Sequence, residues 1–234
     1  MYLSIIIPAY NEEKRIEQTL EAVRVYLHRK HNLDTAEVIV VNDGSTDRTN
    51  EIIQAFIPKL PHLILIEYPV NQGKGYAVRK GMLTARGDLR LFMDADNATS
   101  IEQLDKLLPF IADFDVVISS RRLPESRTLV IRSYVREFLS RIFTFITKSL
   151  LPVGVSDTQN GFKLFTVKAA ETLFSKQTIN GWAFDVETLV LARRLGLKVK
   201  EIPVDWINGG HSRMTFFGAC KMGKELLIIY WKSR

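Results

Sequence analysis

Two aspartates separated by one residue, Asp94-Ala95-Asp96, close the apolar run Leu89 to Met93. That run has the length and composition of a buried strand. Side chains i and i+2 of a strand point the same way. Both carboxylates are therefore expected to face one site at the carboxyl end of a sheet, where open α/β folds bind ligands. Two neighbouring carboxylates repel unless a cation or a proton intervenes. Mg2+ or Mn2+ serves this purpose, because hard ions take oxygen ligands and complete their shell with water and substrate phosphates. On spacing alone, a solvated pair of aspartates at a strand end explains the motif equally well.

The neighbouring clusters shift that balance. Further strand-like runs end in Pro8-Ala9-Tyr10-Asn11-Glu12-Glu13, in Asn42-Asp43-Gly44-Ser45-Thr46-Asp47, in Asn71-Gln72-Gly73-Lys74-Gly75 and in Ser119-Ser120-Arg121-Arg122. Each alone reads as a turn or a helix cap. The segment around Lys74 is not a Walker A loop, and Val78 stands where a dinucleotide fingerprint needs its third glycine. Gathered on one sheet edge, the clusters supply acceptors for a base and ribose (Glu12, Asp43), metal ligands (Asp94, Asp96) and cations for phosphate (Lys74, Arg121).

The elements that must position these residues alternate. Strands are expected at Leu3–Pro8, Glu37–Val41, Leu63–Glu67, Leu89–Asp94 and Asp115–Ser119. Helices are expected at Glu12–Lys30, Asp47–Ile57, Lys74–Arg86 and Ser100–Ile111. Ala77, Gly81 and Ala85 recur every fourth residue and offer a small face for close packing. Such alternation predicts an α/β fold: a mostly parallel central sheet with helices on both faces. The second half reads differently. Leu123–Thr128 is expected to be a polar loop, and Leu129–Leu151 a long helix carrying Arg132, Arg136, Arg141 and Lys148. A strand at Gly161–Thr166, a helix at Phe184–Leu195, a strand at Val199–Val204 and a Gly209-Gly210 loop follow. The organisation predicted is one domain over 1–234, with a first half at 1–122 and an acceptor-side half at 123–234.

Composition bounds the function. At 46% hydrophobic and 25% charged residues, the 234-residue chain has enough apolar material for a packed core. A net charge of +6 suits an anionic partner: nucleotide phosphates, nucleic acid or an anionic membrane surface. One cysteine, Cys220, leaves no internal disulfide framework, and no Cys/His cluster has zinc spacing. No signal peptide is expected, because Met1-Tyr2-Leu3 runs straight into a strand pattern. No window of about 18 uncharged apolar residues is present to span a bilayer. Met214–Trp231 instead fits an interfacial helix, with Lys221, Lys224, Glu225 and Lys232 on one face and Phe216, Phe217, Leu227, Ile228 and Trp231 mainly elsewhere. A core-docking or oligomer-interface helix is the competing account. His28, His31 and His62 read as surface residues.

Longer strings carry a resemblance. Phe92-Met93-Asp94-Ala95-Asp96 with Ala98-Thr99-Ser100, Asp157-Thr158-Gln159 with Gly161-Phe162-Lys163-Leu164-Phe165, and Trp182-Ala183-Phe184-Asp185-Val186-Glu187 together span much of the chain. On these the chain resembles the inverting family 2 glycosyltransferases of the GT-A, Rossmann-like fold. It is most similar to the branch that moves a sugar from a nucleotide to a polyprenyl or dolichyl phosphate. The resemblance implies that Pro8, Ala9, Tyr10, Glu12 and Asp43 hold the nucleotide, with Lys74, Ala95, Gln159 and Arg213 completing the nucleotide-sugar site. It implies that Asp94 and Asp96 bind Mg2+ or Mn2+, Asp96 the more directly. Arg121 and Arg136, the latter with Ser140-Arg141, would lie near the donor diphosphate or the acceptor phosphate. A solvated helix face is a serious competitor for Arg136. The family's late Trp-x4-Gly-Ser-Lys pattern departs here to Trp206 followed by Gly210-His211-Ser212-Arg213. A basic group, Arg213, is kept where the family has its lysine.

The implied reaction is a single in-line displacement, with glucose from UDP-glucose favoured as donor and Asp96, Arg121, Arg136 and Asp157 as the catalytic set. A phosphate monoester has a second pKa of about 6, so as nucleophile it is mostly dianionic and needs no strong base. It needs positioning against another anion, hence the arginines. Asp157 and Asp185 read equally as groups that orient sugar or acceptor and as structural caps. Peripheral attachment at the cytoplasmic face of a membrane follows from the lipid acceptor. Two other readings are a transferase for a soluble glycan, which needs a carboxylate base, and a nucleic-acid binder. The second is disfavoured because the basic residues lie in helices and loops, not interleaved with aromatics on a sheet. The sequence leaves the oligomeric state open.

Overall fold

In the computed structural model, residues 2–30, 35–128, 147, 151, 153–207 and 216–233 are described. Strand β1 (Leu3–Ala9) is the spine of the fold. Its Ile5 and Ile7 enter one apolar cluster and Ile6 enters the other, so the strand's period of two sorts its side chains onto two faces. All three are fully buried, each contributing about 1.5–3 kcal/mol by leaving water. This is why the strand is a continuous apolar run, as expected for a sheet covered on both sides.

β1 pairs in parallel with β2 (Ala36–Asp43) on one side and β4 (Leu89–Met93) on the other. β2 continues in parallel to β3 (Leu63–Tyr68). β5 (Val116–Ser120), β7 (Phe162–Thr166) and β8 (Val199–Pro203) complete a seven-stranded sheet of order β3-β2-β1-β4-β7-β5-β8. β7 lies antiparallel between β4 and β5. That insertion separates strands four and five, which simple alternation would have placed side by side. A small parallel pair, β6 (Arg127–Thr128) and β9 (Asp205–Trp206), sits apart from the main sheet. The segment expected to be only a polar loop, Leu123–Thr128, thus ends in a strand.

Helices cover both faces. α1 (Ile16–Arg29), α2 (Thr49–Phe56) and α4 (Leu104–Leu107) send Leu20, Ile53 and Leu104 into the first cluster. α3 (Lys74–Thr84), α5 (Val167–Lys176), α6 (Phe184–Arg194) and α7 (Phe216–Lys232) send Val78, Leu173, Val186 and Leu226 into the second. α1 begins four residues later than its periodicity predicts. The Glu12 carbonyl accepts from Arg15 and Ile16 N–H in a tight turn, while Thr49 and Asp47 hold the amides of Glu12 and Glu13. The helix expected at Ser100–Ile111 breaks into 3-10 turns around α4, with a proline in the first positions of the second turn. α5 follows directly on β7, where no helix was anticipated. The long helix expected at Leu129–Leu151, with Arg132, Arg136, Arg141 and Lys148, lies outside the described residues, except for Thr147 and Leu151. His31 does so too; His28 and His62 are exposed as expected.

The small face of α3 is used. A Cβ on Gly81 would stand 2.5 Å from Ile6 Cγ2, inside van der Waals contact with a buried β-branched residue of β1. Alanine would gain about 1 kcal/mol in helix propensity, but overpacking costs about 1–3 kcal/mol. Gly81→Ala should therefore lower stability in urea denaturation. An unchanged or raised midpoint would show that α3 can ride away from the sheet.

Candidate active site

The chain runs outward from β1 to β2 and β3, then returns to place β4 on β1's other side. The carboxyl ends of β1 and β4 thus flank the switch point where crevices form in such sheets. β7, being antiparallel, starts at that same edge. Its register sets Phe162 beside Met93, and Asp94 N–H donates to the Gly161 carbonyl at 2.9 Å. Gln159, Asn160 and Gly161 are delivered to the site by this reversal.

β4 ends at Met93, so Asp94-Ala95-Asp96 forms a turn beyond the strand and the strand's alternation does not orient it. The two carboxylates nevertheless line one cavity of about 100 Å3, together with Ala98, Thr99, Arg121, Gln159, Asn160, Gly161 and Trp206. Buried Ala95 anchors the turn: its carbonyl accepts from Thr19 Oγ1 of α1 at 2.7 Å. Asp94 Oδ1 lies 2.7 Å from Lys74 Nζ at the first residue of α3. Asp96 accepts from Ala98 N–H and faces Arg15 at 3.9 Å. Burial, and then the charge of Asp94, push the Asp96 carboxyl above its ordinary range against the pull of Ala98 N–H, Lys74 and Arg15. Burial opposes the Lys74 ammonium, yet Asp94, with Asp185 and Asp96, outweighs it and the net shift is upward.

This donor set fits a divalent ion. Two carboxylate side chains share a cavity, and oxygen ligands of this kind are what a hard divalent ion takes. A Cβ on Gly161 would meet Asp94 Oδ2 at 2.0 Å, so glycine leaves the room that the carboxylate occupies. Among the described residues no third His, Cys, Asp or Glu joins them. Remaining ligands would come from water and phosphate oxygens, as hard ions accept.

Opposite the acid pair, Arg121 is fixed from three sides. Asp157 accepts from its Nε at 2.7 Å, its Nη2 at 2.9 Å and its backbone N–H at 3.0 Å. The Trp206 ring lies 5.5 Å from the guanidinium carbon. Glu201 of β8 in turn takes the amides of Ser156 and Asp157. Burial alone would raise the Asp157 carboxyl; the charge and hydrogen bonds of Arg121 reverse this and hold it far below the usual range. Asp157, taken from sequence as catalytic, thus has both oxygens on Arg121, and Arg121 is the member that lines the cavity. Asn160 bridges the wall, donating to Ser119 Oγ and accepting from Thr99 Oγ1.

The residues expected to hold the nucleotide gather at the ends of β1 and β2. Pro8 and Ala9 are buried within β1, and Tyr10 is 40% exposed at its end. Asp43 is buried and accepts from Gln72 and Gly73 N–H, both at 2.8 Å. Burial raises its carboxyl against those two donors. Glu12 contacts Arg15 at 2.7 Å, so Arg15 links the Tyr10–Glu12 corner to Asp96. Arg15 was not anticipated. Its signal is an i, i+3 pairing with Glu12, which solvated helix ends also show. Arg136, Ser140, Arg141, Gly210, His211, Ser212 and Arg213 lie outside the described residues.

A buried pair supports the second wall. Lys163 Nζ bonds Asp185 Oδ1 and, at 2.6 Å, the Asn160 carbonyl. Asp185 is fully enclosed on α6, where burial raises its carboxyl more than Lys163 and Lys74 lower it. Neither lines the cavity. α7 also differs from expectation: Glu225 is buried and accepts from Ala183 N–H, while Leu227, Ile228 and Trp231 are exposed beside Lys221 and Lys224. Met222 of the same helix takes a hydrogen bond from Gln159 at 3.3 Å.

The arrangement is that of an α/β enzyme built to hold anionic groups between an acid pair and fixed cations at a sheet's switch point. The chain belongs to glycosyl transferase family 2, whose model matches residues 4–174, and it is a glycosyltransferase. It is 40% identical over 239 residues to the dolichyl-phosphate beta-glucosyltransferase ALG5A of Trichomonas vaginalis, covering 98% of this chain and 73% of that one. The mouse dolichyl-phosphate beta-glucosyltransferase is 38% identical over 240 residues, 97% of this chain and 74% of its own. Glucosyl-3-phosphoglycerate synthase from Mycobacterium tuberculosis, solved with Mn2+, uridine-diphosphate-glucose and phosphoglyceric acid, superposes with a TM-score of 0.71. It shares 20% identity over 99% of this chain and 79% of that one, a likeness of GT-A fold.

The Asp157–Arg121 pair makes a pH prediction. A depressed carboxyl stabilises the fold fully above its unfolded pKa of about 3.9, and this is lost as pH falls toward the folded value. Breaking such a buried pair costs about 3–5 kcal/mol. Asp157→Asn should be less stable by about that amount at pH 7 in denaturant titrations. The gap to wild type should narrow below about pH 4. A gap independent of pH would rule out the linkage.

Proposed function

We propose that this chain transfers glucose, with inversion, from UDP-glucose to a dolichyl or other polyprenyl phosphate. The observation that carries the reading is the cavity at the switch point, with Asp94 and Asp96 on one wall and Arg121 on the other. The names of relatives near 40% identity over almost the whole chain support the donor sugar and the lipid phosphate. Tyr10, Glu12 and Asp43, gathered at the ends of β1 and β2, are the proposed contacts for base and ribose.

An oxygen of the acceptor phosphate forms the new bond to the anomeric carbon, on the face opposite the diphosphate. The carbon–oxygen bond to the diphosphate breaks, and its electron pair leaves on that oxygen. Asp94 and Asp96 would hold a divalent ion, Mg2+ or Mn2+, which supplies positive charge where the departing diphosphate becomes more negative. Arg121, prealigned by Asp157 and Trp206, offers fixed donors to a phosphate without reorganising in the reaction. Its role here is electrostatic, and Asp157 acts through it as a positioning residue. Arg136 and Arg213 remain proposed phosphate contacts.

A lipid phosphate has to be met at a membrane. No described helix is long and apolar enough to cross one. α7 offers another route: Leu227, Ile228 and Trp231, the last 71% exposed, lie beside exposed Lys221, Lys224 and Lys232. This combination suits the interface of an anionic leaflet, and we place the enzyme peripherally on the cytoplasmic face. It favours the lipid acceptor over a soluble one.

Two tests follow. Incubation with UDP-glucose, Mn2+ and a polyprenyl phosphate should yield glucosyl-phosphoryl-polyprenol by mass. Asp96→Ala or excess chelator should cut turnover about a thousandfold or more, the loss of several kcal/mol of transition-state stabilisation. Full turnover with chelator would sink the metal reading, and product only with a soluble phosphate would sink the lipid acceptor. In flotation, wild type should rise with anionic vesicles and less so in salt, since exposed charges are screened over about 10 Å at 0.1 M. Leu227→Glu/Trp231→Glu should stay below. Equal flotation of both would remove α7 from the interface.

A further inference from the structure

Lys74 holds an unusual place. It opens α3, yet its ammonium turns onto Asp94 Oδ1 at 2.7 Å, with its side chain 18% exposed. The rings of Phe92 and Trp182 flank it, each centroid 5.3 Å from Nζ. The turn that carries Asp94 is held in place: the Asp94 amide is bonded to the Gly161 carbonyl, and the carboxylate packs beside Gly161 Cα. An ammonium therefore already sits where the acid pair needs a cation. A divalent ion approaching Asp94 meets that positive charge at close range. Moving Lys74 off Asp94 without another anion costs the ammonium its one direct carboxylate contact among the described residues.

We infer that Lys74 is a resident counter-ion that guards Asp94 and moves onto the diphosphate when a nucleoside diphosphate enters, so that divalent-ion and nucleotide binding are tied together. The inference rests on the nucleotide-sugar reading above. Lys74 opens α3 directly after the strand-three loop, and Asp43 accepts from the amides of Gln72 and Gly73 just before it. The lead-in to Lys74 is thereby pinned to the strand end proposed to hold the nucleotide. A short side-chain swing suffices for the exchange. The arriving diphosphate gives Lys74 a new anion, and the released Asp94 completes the acid pair. Coupling of this kind is reciprocal: the ion must tighten the nucleotide by the factor by which the nucleotide tightens the ion.

The test is Mn2+ binding, read from the free-ion signal in electron paramagnetic resonance, with and without UDP. Wild type should bind Mn2+ alone weakly and tighten markedly with UDP. Lys74→Gln, close in size and uncharged, should bind Mn2+ alone about tenfold more tightly, and UDP should sharpen its binding by a correspondingly smaller factor. Lys74→Arg should keep the wild-type pattern, which separates charge from a general loosening of the site. Equal Mn2+ affinity of wild type and Lys74→Gln without UDP would overturn the inference, as would an equal UDP effect in both. If UDP binds neither protein at saturating Mn2+, the nucleotide reading fails and the exchange with it. The ion-only comparison then still decides whether Lys74 guards Asp94.

Discussion

Three carboxylates around this site are each matched to a cation, and much of the site's architecture follows from that requirement. Asp94 faces Lys74, Asp157 faces Arg121, and Asp185 faces Lys163. Removing a charge from water costs several kcal/mol, recovered only when a partner and further hydrogen bonds are in place. The pairs are accordingly embedded. Arg121 is bonded through side chain and backbone, and Lys163 also bonds a carbonyl. Asp96 has the longest pairing of the set, 3.9 Å to Arg15, and burial and then Asp94 push its carboxyl up. A charge-balanced wall of this kind accepts a new anion most readily together with a new cation. That is the property a metal-dependent transferase for a diphosphate donor requires.

The sheet's one reversed strand makes the pairing possible. β7 enters from the edge where the parallel strands end, so the segment before it reaches the acid pair directly. Asn160 then ties Ser119 at the end of β5 to Thr99 beyond β4. A parallel strand in that position would have delivered its carboxyl end instead, and its lead-in would lie on the far side of the molecule.

The parts legible in the sequence are those with local signals. Asp94 and Asp96 follow an apolar run, Asp43 and Glu12 follow others, and the parallel strands carry their own period. The ion pairs carry none. Lys163 and Asp185 are 22 residues apart, Arg121 and Asp157 are 36 apart, and each residue alone looks like a solvated charge. The order of strands four, seven and five is hidden for the same reason: strand identity is local, and neighbour choice is not. Glu225 shows how a polarity pattern misleads. It was grouped with the wet lysines of its helix because it is charged, yet it is buried where Ala183 N–H offers it a hydrogen bond. Its transfer turns the helix, and Leu227, Ile228 and Trp231 come to face outward with Lys221 and Lys224.

That rotation gives α7 two faces with different tasks. Its inner face reaches the site: Met222 accepts from Gln159, and Glu225 fixes the start of α6. A Cβ on Gly181 would lie 1.9 Å from Glu225 Oε1, so the loop before α6 is shaped around that carboxylate. The same loop meets the start of α3 through hydrogen bonds from Gly75 and Tyr76 N–H, next to Lys74. The helix lies beyond residue 174, where the family match ends, yet it touches cavity-lining Gln159 and holds the start of α6. Its outer face carries the apolar and basic residues suited to a lipid surface. One rigid element thus joins the surface where the acceptor would be met to the residues that would hold the donor. A helix can do this because its opposite stripes are fixed relative to each other by its own backbone bonds.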